Sequence, residues 1–258
     1  MANRYQDLDD RAEDLRELMR ARKDATPHFE ELFELSWIHH DNGLEGIVVT
    51  GAEMQAALSP LGAVAPDSST HALYKEIRNH RAALNFIRAE AQNKKISLNI
   101  TLVRKLHEIL SEGFEGREKA VFRKDMPLHR TYFHEIAQPV KIPAALDRVL
   151  DSTTGAEFRE AHPLRQAAQL HHGFMQVFPF TENSGKVARL LGNLILLRAA
   201  HLPAIIHTID RQRYYESLKQ PPLALRNLYF EALENAHENA TRFFESAPKP
   251  RRRRAANQ

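Results

Sequence analysis

Cysteine is absent from this chain of 258 residues, and tryptophan occurs once. Without thiols there are no disulfides, no thiolate zinc sites and no cysteine nucleophile. No apolar stretch approaches the roughly 20 residues that a membrane-spanning helix needs. Residues 1–20 mix acidic and basic side chains and lack the apolar segment of a signal peptide. These absences predict a cytoplasmic protein that does not enter a membrane.

A large excess of one charge is also missing, since the formal net charge is +3. Five cations lie close together near the end of the chain: Lys249, Arg251, Arg252, Arg253 and Arg254. Without them the net charge is −2, so we do not expect the body of the protein to bind nucleic acid generally. Residues 248–258 are predicted to form a disordered, solubilising tail, and contact with nucleic acid or acidic lipid is the alternative.

Helical periodicity dominates what is present, and alternating strand-like segments are scarce. The pattern predicts one all-α domain with a helical extension at its start. We divide it into an N-terminal helical region, a core, a C-terminal helix and the tail, at residues 1–95, 96–220, 221–247 and 248–258. Within the first region, Thr50 and Glu53 have the spacing of a capping box. Residues 114–143 lack helical periodicity and predict a loop with at most one short hairpin.

The stretch "HHGFMQVFPFTENSGKVARLLGN", residues 171–193, predicts a helix, a short polar turn and a very apolar helix. Free N–H groups at the start of the second helix favour an anion, and Gly185 would let it approach the backbone. Lys186 and Arg189 share a helix face, and Glu182 could hold a divalent cation that bridges phosphates. The predicted phosphate-binding residues are Asn183, Ser184, Gly185, Lys186 and Arg189. The alternative is an ordinary capped helix with solvated cations.

Residues 178–189, "FPFTENSGKVAR", resemble the signature of the Fic family, His-Pro-Phe-x-(Asp/Glu)-Gly-Asn-Gly-Arg followed by a second Arg. "LHHGFMQV", which contains His171, "VRKLHEIL" and "RQRYYESL" also resemble family segments. The resemblance implies a Fic-fold helical bundle with a small β-hairpin flap. It also implies AMP transfer from ATP, with Mg²⁺ at Glu182, to a hydroxyl group of a protein target. The residues that it places at the reaction centre are Phe178, Glu182 and His171.

A second segment, about residues 35–60, resembles the inhibitory helix of the same family. Asp41 stands where the family has Ser or Thr, whereas Glu45 and Gly46 match. The resemblance implies that Glu45 pairs with Arg189 and blocks the position of the nucleotide γ-phosphate. The alternative is that Glu45 is a surface charge in a turn.

The signature departs from the family at several positions, of which Phe178 matters most because phenylalanine cannot accept a proton. Lys186 replaces an arginine and loses its bidentate fork, while Asn183 and Ser184 replace Gly-Asn. His171 lies about two turns before Phe178, which is too far for direct replacement and favours a core or positioning role. A phosphate or carboxylate acceptor would need no base, since it is already ionised at neutral pH.

Together these observations predict a divergent Fic-type nucleotidyl- or phosphoryl-group transferase, of the protein adenylyltransferase type but with non-standard chemistry. Its donor would be a nucleotide such as ATP, with Mg²⁺, and Glu45 would inhibit it through Arg189. The alternative is an inactive Fic-fold pseudoenzyme that binds nucleotide or protein and regulates. The expected partners are a nucleotide and a protein target, with a homodimer left open. The remaining histidines show no ligand spacing, so no zinc site is predicted.

Overall fold

The computed structural model describes residues 2–59, 69–93, 97–117, 119–127 and 134–248. All regular structure in these ranges is helical, which confirms the all-α prediction. The α-helices are α1 (Ala2–Ala21), α2 (Thr26–Leu44), α3 (Gly51–Leu58), α4 (Ser69–Ala91), α5 (Ile100–Leu110), α6 (Ile142–Ser152), α7 (Ala156–Glu160), α8 (Pro163–Val177), α9 (Ser184–Arg198), α10 (Arg211–Ser217) and α11 (Pro222–Ser246). Short 3₁₀ helices lie at Pro139–Lys141 and Thr208–Asp210.

Helix α9 lies at the centre of the molecule and is buried on nearly every side from Ser184 to Leu196. It packs most extensively against α8 and α4, and also contacts α5. A helix that is apolar all round is stable only when other elements cover all of it. The polar residues at its start are therefore held inside the bundle, where an unpaired charge would be costly.

The helices at the two ends of the chain form one outer layer. Helix α1 packs against α11, and Arg4 donates two hydrogen bonds of 2.7 and 2.8 Å to the carboxylate of Glu234. A small apolar cluster joins the far ends of these helices to α2 through Leu15, Phe29 and Phe244. The N-terminal region is thus part of the packed structure.

Helix α2 ends beside α9. Its last turn is held by the Leu44 carbonyl, which accepts hydrogen bonds from Arg211 Nε at 2.9 Å and from the Tyr215 hydroxyl at 3.1 Å. Gly46 then adopts a left-handed conformation, with φ 85°, and turns the chain toward α3. Helix α3 begins with the predicted capping box of Thr50 and Glu53.

The predicted β-hairpin flap is not observed, because residues 119–127 and 134–138 contain no strand. Residues 128–133, on which the tip of the hairpin would fall, lie outside the described residues. Backbone N–H groups on both sides of this gap donate to the end of α8 and to the turn that follows it. Arg123 N donates to Pro179 O and Ala137 N donates to Gln176 O, each at 2.9 Å. The segment is therefore paired with the end of α8 and the turn after it.

Within the described ranges, none of the helices combines the length and apolarity that crossing a bilayer requires. Of the predicted basic tail, residues 249–258 lie outside the described part of the chain.

Candidate functional site

The polar turn between α8 and α9, residues 178–183, has two residues in the left-handed region. Phe178 ends α8 with φ 46° and ψ 66°, and Asn183 precedes α9 with φ 62°. Asparagine tolerates this conformation, whereas a bulky residue does so at a cost of about 1–3 kcal/mol. The backbone of the turn is therefore held in an unfavourable conformation by its surroundings.

Arg123 supplies part of that support. Its guanidinium donates to Phe178 O at 2.7 Å, to Val177 O at 3.3 Å and to the carbonyl of Ala137. The carbonyl groups of Val177 and Phe178 lie at and just after the C-terminus of α8, where a cation is favourable. Ser184 also stabilises the turn. Its hydroxyl accepts a hydrogen bond from Phe180 N and donates one to Phe180 O, both at 2.9 Å.

The side chains of Phe178 and Asn183 do not face a common cleft. Phe178 is 1% exposed and belongs to the apolar core. Asn183 occupies the N-cap position of α9 without a capping hydrogen bond, and its amide instead donates to Ser111 Oγ at 3.3 Å. The position at which the family has histidine thus presents no titratable group to the turn.

The carboxylate of Glu45 lies against the first turn of α9. A Cβ added at Gly185 would stand 2.2 Å from Oε1 of Glu45, so only glycine lets this carboxylate lie where it does. The same oxygen accepts from Arg189 Nη2 at 2.8 Å. A negative group at a helix N-terminus is stabilised by the free N–H groups and the helix dipole.

Arg189 is shared between two carboxylates. Its Nε donates to Asp41 Oδ1 at 2.8 Å, and its Nη2 pairs with Glu45. Burial alone would raise the pKa of Asp41, but the nearby charge of Arg189, with His80 and Lys186, lowers it to about 2. Asp41 is therefore an anion deep inside the protein, and it neutralises Arg189 even without Glu45.

Lys186 pairs with a third carboxylate, that of Glu76. Its Nζ lies 2.6 Å from Glu76 Oε2 on α4, and the lysine is 1% exposed. His80, one turn further along α4, places Nε2 3.2 Å from Asp41 Oδ2, and burial lowers the pKa of this imidazole. The sequence predicted Lys186 and Arg189 as phosphate ligands, and in this conformation both are paired with acidic side chains.

His171 lies in the core between two tyrosines. Its Nδ1 is 2.8 Å from the Tyr229 hydroxyl and its Nε2 is 2.9 Å from the Tyr214 hydroxyl. Burial holds its pKa well below the ordinary value. Tyr214 in turn accepts from Arg189 Nη1 at 3.5 Å. Both ring nitrogens of His171 are thus within hydrogen-bond distance of tyrosine hydroxyls, and one of these tyrosines also contacts Arg189.

Glu182, the predicted cation ligand, is exposed at the edge of a cleft of about 300 Å³. The other lining residues are Gly116, Arg117, Lys119, residues 121–125 and Thr181, together with His107, whose ring centre lies 4.1 Å from that of Phe180 with the ring planes tilted by 30°. The cationic residues that line the cleft are Arg117, Lys119, Arg123 and Lys124, and the anionic ones are Asp125 and Glu182. We call it the basic cleft.

Several of these residues could not be found from the signature. Asp41 was noted only as a departure, and Glu76 and His80 lie on a helix for which the resemblance carries no motif. Their i, i+4 spacing places both on one face of α4, which is the only signal that could have grouped them. Their partners are set by helix packing.

One further group of metal-binding residue types comes together where the sequence predicted none. The Nε2 atoms of His162 and His201 lie 3.0 and 3.1 Å from Asp9 Oδ1. His162 Nδ1 accepts a hydrogen bond from Leu164 N at 3.2 Å, so the ring proton sits on Nε2 and points at Asp9. Hydrogen bonding accounts for this cluster, which ties α1 to α8.

Comparison with known proteins gives a consistent result. The model of the Fic/DOC family matches residues 97–196. Two curated relatives are both called protein adenylyltransferase Fic. The protein from Drosophila willistoni is 28% identical over 204 residues, which are 78% of this chain and 38% of the relative. The protein from Nematostella vectensis is 29% identical over 189 residues, which are 71% of this chain and 42% of the relative. The chain thus spans less than half the length of these relatives.

Solved structures share the fold. A Fic domain containing signaling protein from Bacteroides thetaiotaomicron superimposes with a TM-score of 0.80 at 22% identity, covering 96% of this chain and all of that one. Residues 134–508 of Fic-1 from C. elegans, with the substitution E274G, give a TM-score of 0.73 at 20% identity, covering 94% of this chain and 72% of that one. At these identities the likeness concerns the fold alone.

Proposed function

Since this chain carries a Fic/DOC-family domain at residues 97–196, we propose that it is a divergent nucleotidyl- or phosphoryl-group transferase held inactive by Glu45. A nucleotide such as ATP would be the donor and a protein the target. The observation that carries this proposal is the Glu45 carboxylate lying on Gly185 and paired with Arg189. A carboxylate at this point marks a place built for an anion.

Glu45 and the donor phosphates would compete for the same groups. Glu45 is 14% exposed and lies at the end of α2, so it can leave without unfolding a helix. Its departure would free the N–H groups of the first turn of α9 and one side of Arg189. The proposed inhibition is therefore direct occupation of the phosphate site.

Glu182 fits a magnesium ion that is held together with a nucleotide. Mg²⁺ prefers oxygen ligands and usually takes one or two protein carboxylates, substrate phosphates and water. Glu182 offers one exposed carboxylate in the turn, which suits that mode. Bound there, the ion would neutralise charge on the donor phosphates. The contributions of this chain are binding and orientation by the first turn of α9, Arg189 and Glu182.

The test is nucleotide binding to the Glu45→Gly variant. We expect ATP, CTP, GTP or UTP with Mg²⁺ to bind this variant at least about tenfold more tightly than the wild type, because a competing ion pair is gone. Isothermal titration calorimetry measures the affinity. Glu30→Gln, an exposed change on the same helix, is the control and should match the wild type. Equal, undetectable binding of all nucleotides by both proteins would remove the proposal.

A second candidate function is a pseudoenzyme that binds nucleotide or protein and regulates. Phe178 favours it, since the loss of a positioned base typically slows a reaction about 10²–10⁴-fold. The discriminating change is Phe178→His in the Glu45→Gly background, assayed with α-³²P-ATP. AMP transfer that appears only with the histidine supports the pseudoenzyme. Transfer by the Phe178 protein that the histidine abolishes supports a transferase with different chemistry.

A further inference from the structure

We propose that the acceptor of the transferred group is itself an anion that bears a phosphate, bound in the basic cleft. This inference rests on the proposed function and names the substrate class for the same site. Its basis is that the cleft beside Glu182 offers unneutralised cations, whereas the position at which the family has histidine is Phe178, which cannot act as a base.

The cations of the basic cleft differ from those of α9. Lys119 and Lys124 are exposed, and neither makes an ion pair within the described part of the chain. Arg117 also lines the cleft, with its guanidinium carbon 5.3 Å from the ring centre of Phe114. By contrast, Lys186 and Arg189 are each paired with carboxylates. The free positive charge near the turn is thus concentrated in the basic cleft.

Among its described lining residues the cleft has four cations and two anions, so an excess of positive charge remains. Arg123 is engaged with carbonyl oxygens, which are neutral, so its charge is not cancelled. Glu182 would be neutralised further by any divalent cation that it holds. The cleft therefore favours binding of an anionic group over binding of a neutral hydroxyl.

Of the described groups near the turn, Glu182 would be committed to the divalent cation, and Phe178 cannot accept a proton. His107 lies against the backbone carbonyl of Glu182, its Nδ1 is buried with no hydrogen-bond partner among the described residues, and burial lowers its pKa to about 4. An imidazole with so low a pKa is a weak base at neutral pH.

A phosphate acceptor removes this requirement. One of its oxygens, already ionised, would form a bond to the α-phosphorus of ATP. The bond between that phosphorus and the oxygen bridging to the β-phosphorus would break, and its electron pair would leave with pyrophosphate. With hydrogen phosphate as acceptor, ATP⁴⁻ and HPO₄²⁻ give ADP³⁻ and HP₂O₇³⁻. Atoms and charge balance, and no enzyme group has to remove a proton.

The experiment compares acceptors in the Glu45→Gly protein with α-³²P-ATP and Mg²⁺. The acceptors are inorganic phosphate, a phosphoserine peptide and the same peptide with serine. We expect at least one phosphate acceptor to be labelled roughly tenfold faster than the serine peptide. Faster labelling of inorganic phosphate indicates a free phosphate, and faster labelling of the phosphopeptide indicates a phosphorylated protein. Faster labelling of the serine peptide, or no labelling of any acceptor, overturns the inference.

Charge reversal tests the location. Lys119→Glu with Lys124→Glu should slow labelling of the preferred phosphate acceptor by roughly tenfold or more, whereas ATP affinity should fall by a clearly smaller factor. Lys219→Glu, an exposed change away from the cleft, is the matched control and should alter neither. An equal loss of ATP affinity would assign the cleft to the donor and overturn the inference. Calorimetry with inorganic phosphate alone gives a second readout that does not depend on turnover.

The two proposals fail in different ways. If the Glu45→Gly protein binds no nucleotide, the proposed function falls and the acceptor inference falls with it. If it binds ATP and transfers AMP only to the serine peptide, the proposed function stands and only the acceptor inference is wrong.

Discussion

At Gly185 the missing Cβ decides whether Glu45 can approach α9, because a Cβ there would lie 2.2 Å from the carboxylate oxygen. We expect Gly185→Ala to displace the flexible Glu45 carboxylate from Arg189 and to lower the free energy of unfolding by about 1 kcal/mol, since the helix propensity of alanine offsets part of the loss. In the Glu45→Gly background the cost should be markedly smaller, since the main clashing atom is absent. Urea denaturation of the four proteins of this double-mutant cycle measures the coupling.

Gly51 provides the control for that cycle. It has no atom within 4 Å of an added Cβ, so Gly51→Ala should show no coupling to Glu45→Gly. Equal costs of Gly185→Ala in both backgrounds would mean that Glu45 does not lie on Gly185 in solution.

Of all the features of the site, the pairing of its charged residues was the one that the sequence predicted least well. The Glu45–Arg189 pair was predicted from a family resemblance and is present at 2.8 Å. The pairing of Lys186 with Glu76 was not predicted, because the two residues are 110 positions apart and nothing local links them. A buried charge must have a partner, but the sequence alone does not say which helix provides it.

The irregular segment after α5, residues 119–127 and 134–138, contains no strand. A single side chain, that of Arg123, holds much of it in place. Arg123 is 4% exposed and donates to Phe178 O, just after α8, and to the carbonyl of Ala137 in its own segment. We expect Arg123→Met to lower the free energy of unfolding by about 3 kcal/mol, since it leaves several buried carbonyl groups without a donor. It should also speed amide hydrogen exchange at 177–180.

Lys124→Met is the comparison for that change, because Lys124 is exposed and makes no ion pair in the described ranges. Its effect should stay within about 0.5 kcal/mol. Similar losses from both variants would show that the carbonyl contacts of Arg123 contribute little.

Elements were predicted well where their signal is local. Helical periodicity predicted the helices, and the spacing of Thr50 and Glu53 predicted the capping box that begins α3. The β-hairpin failed in the described part of the segment because its backbone groups bond to the end of α8, which lies far along the chain. Competition between local and distant partners cannot be judged from a short stretch of sequence.

For the whole molecule, buried histidines predict sensitivity to acid. Burial lowers the pKa of His40, His107 and His237 from 6.5 to about 4. A lowered histidine pKa means that the folded state binds fewer protons than the unfolded state between these values. Stability should therefore be full above about pH 6.5 and fall as the pH drops toward 4, and thermal unfolding across this range measures it.

Replacing one of these histidines identifies the cause. His237→Gln should make the decline between pH 6.5 and 4 shallower, because one of the titrating groups is gone. His28→Gln, with a side chain 65% exposed, should leave the profile as it is. Parallel profiles for all three proteins would assign the decline to other groups.

Arg189 keeps its orientation whichever anion lies on Gly185, because Asp41 binds the guanidinium from inside the bundle at 2.8 Å. Ordering a free arginine side chain would lower the affinity for a phosphate by roughly 2 kcal/mol of rotamer entropy. Here that entropy is lost when the protein folds, so an incoming ligand meets a preorganised cation.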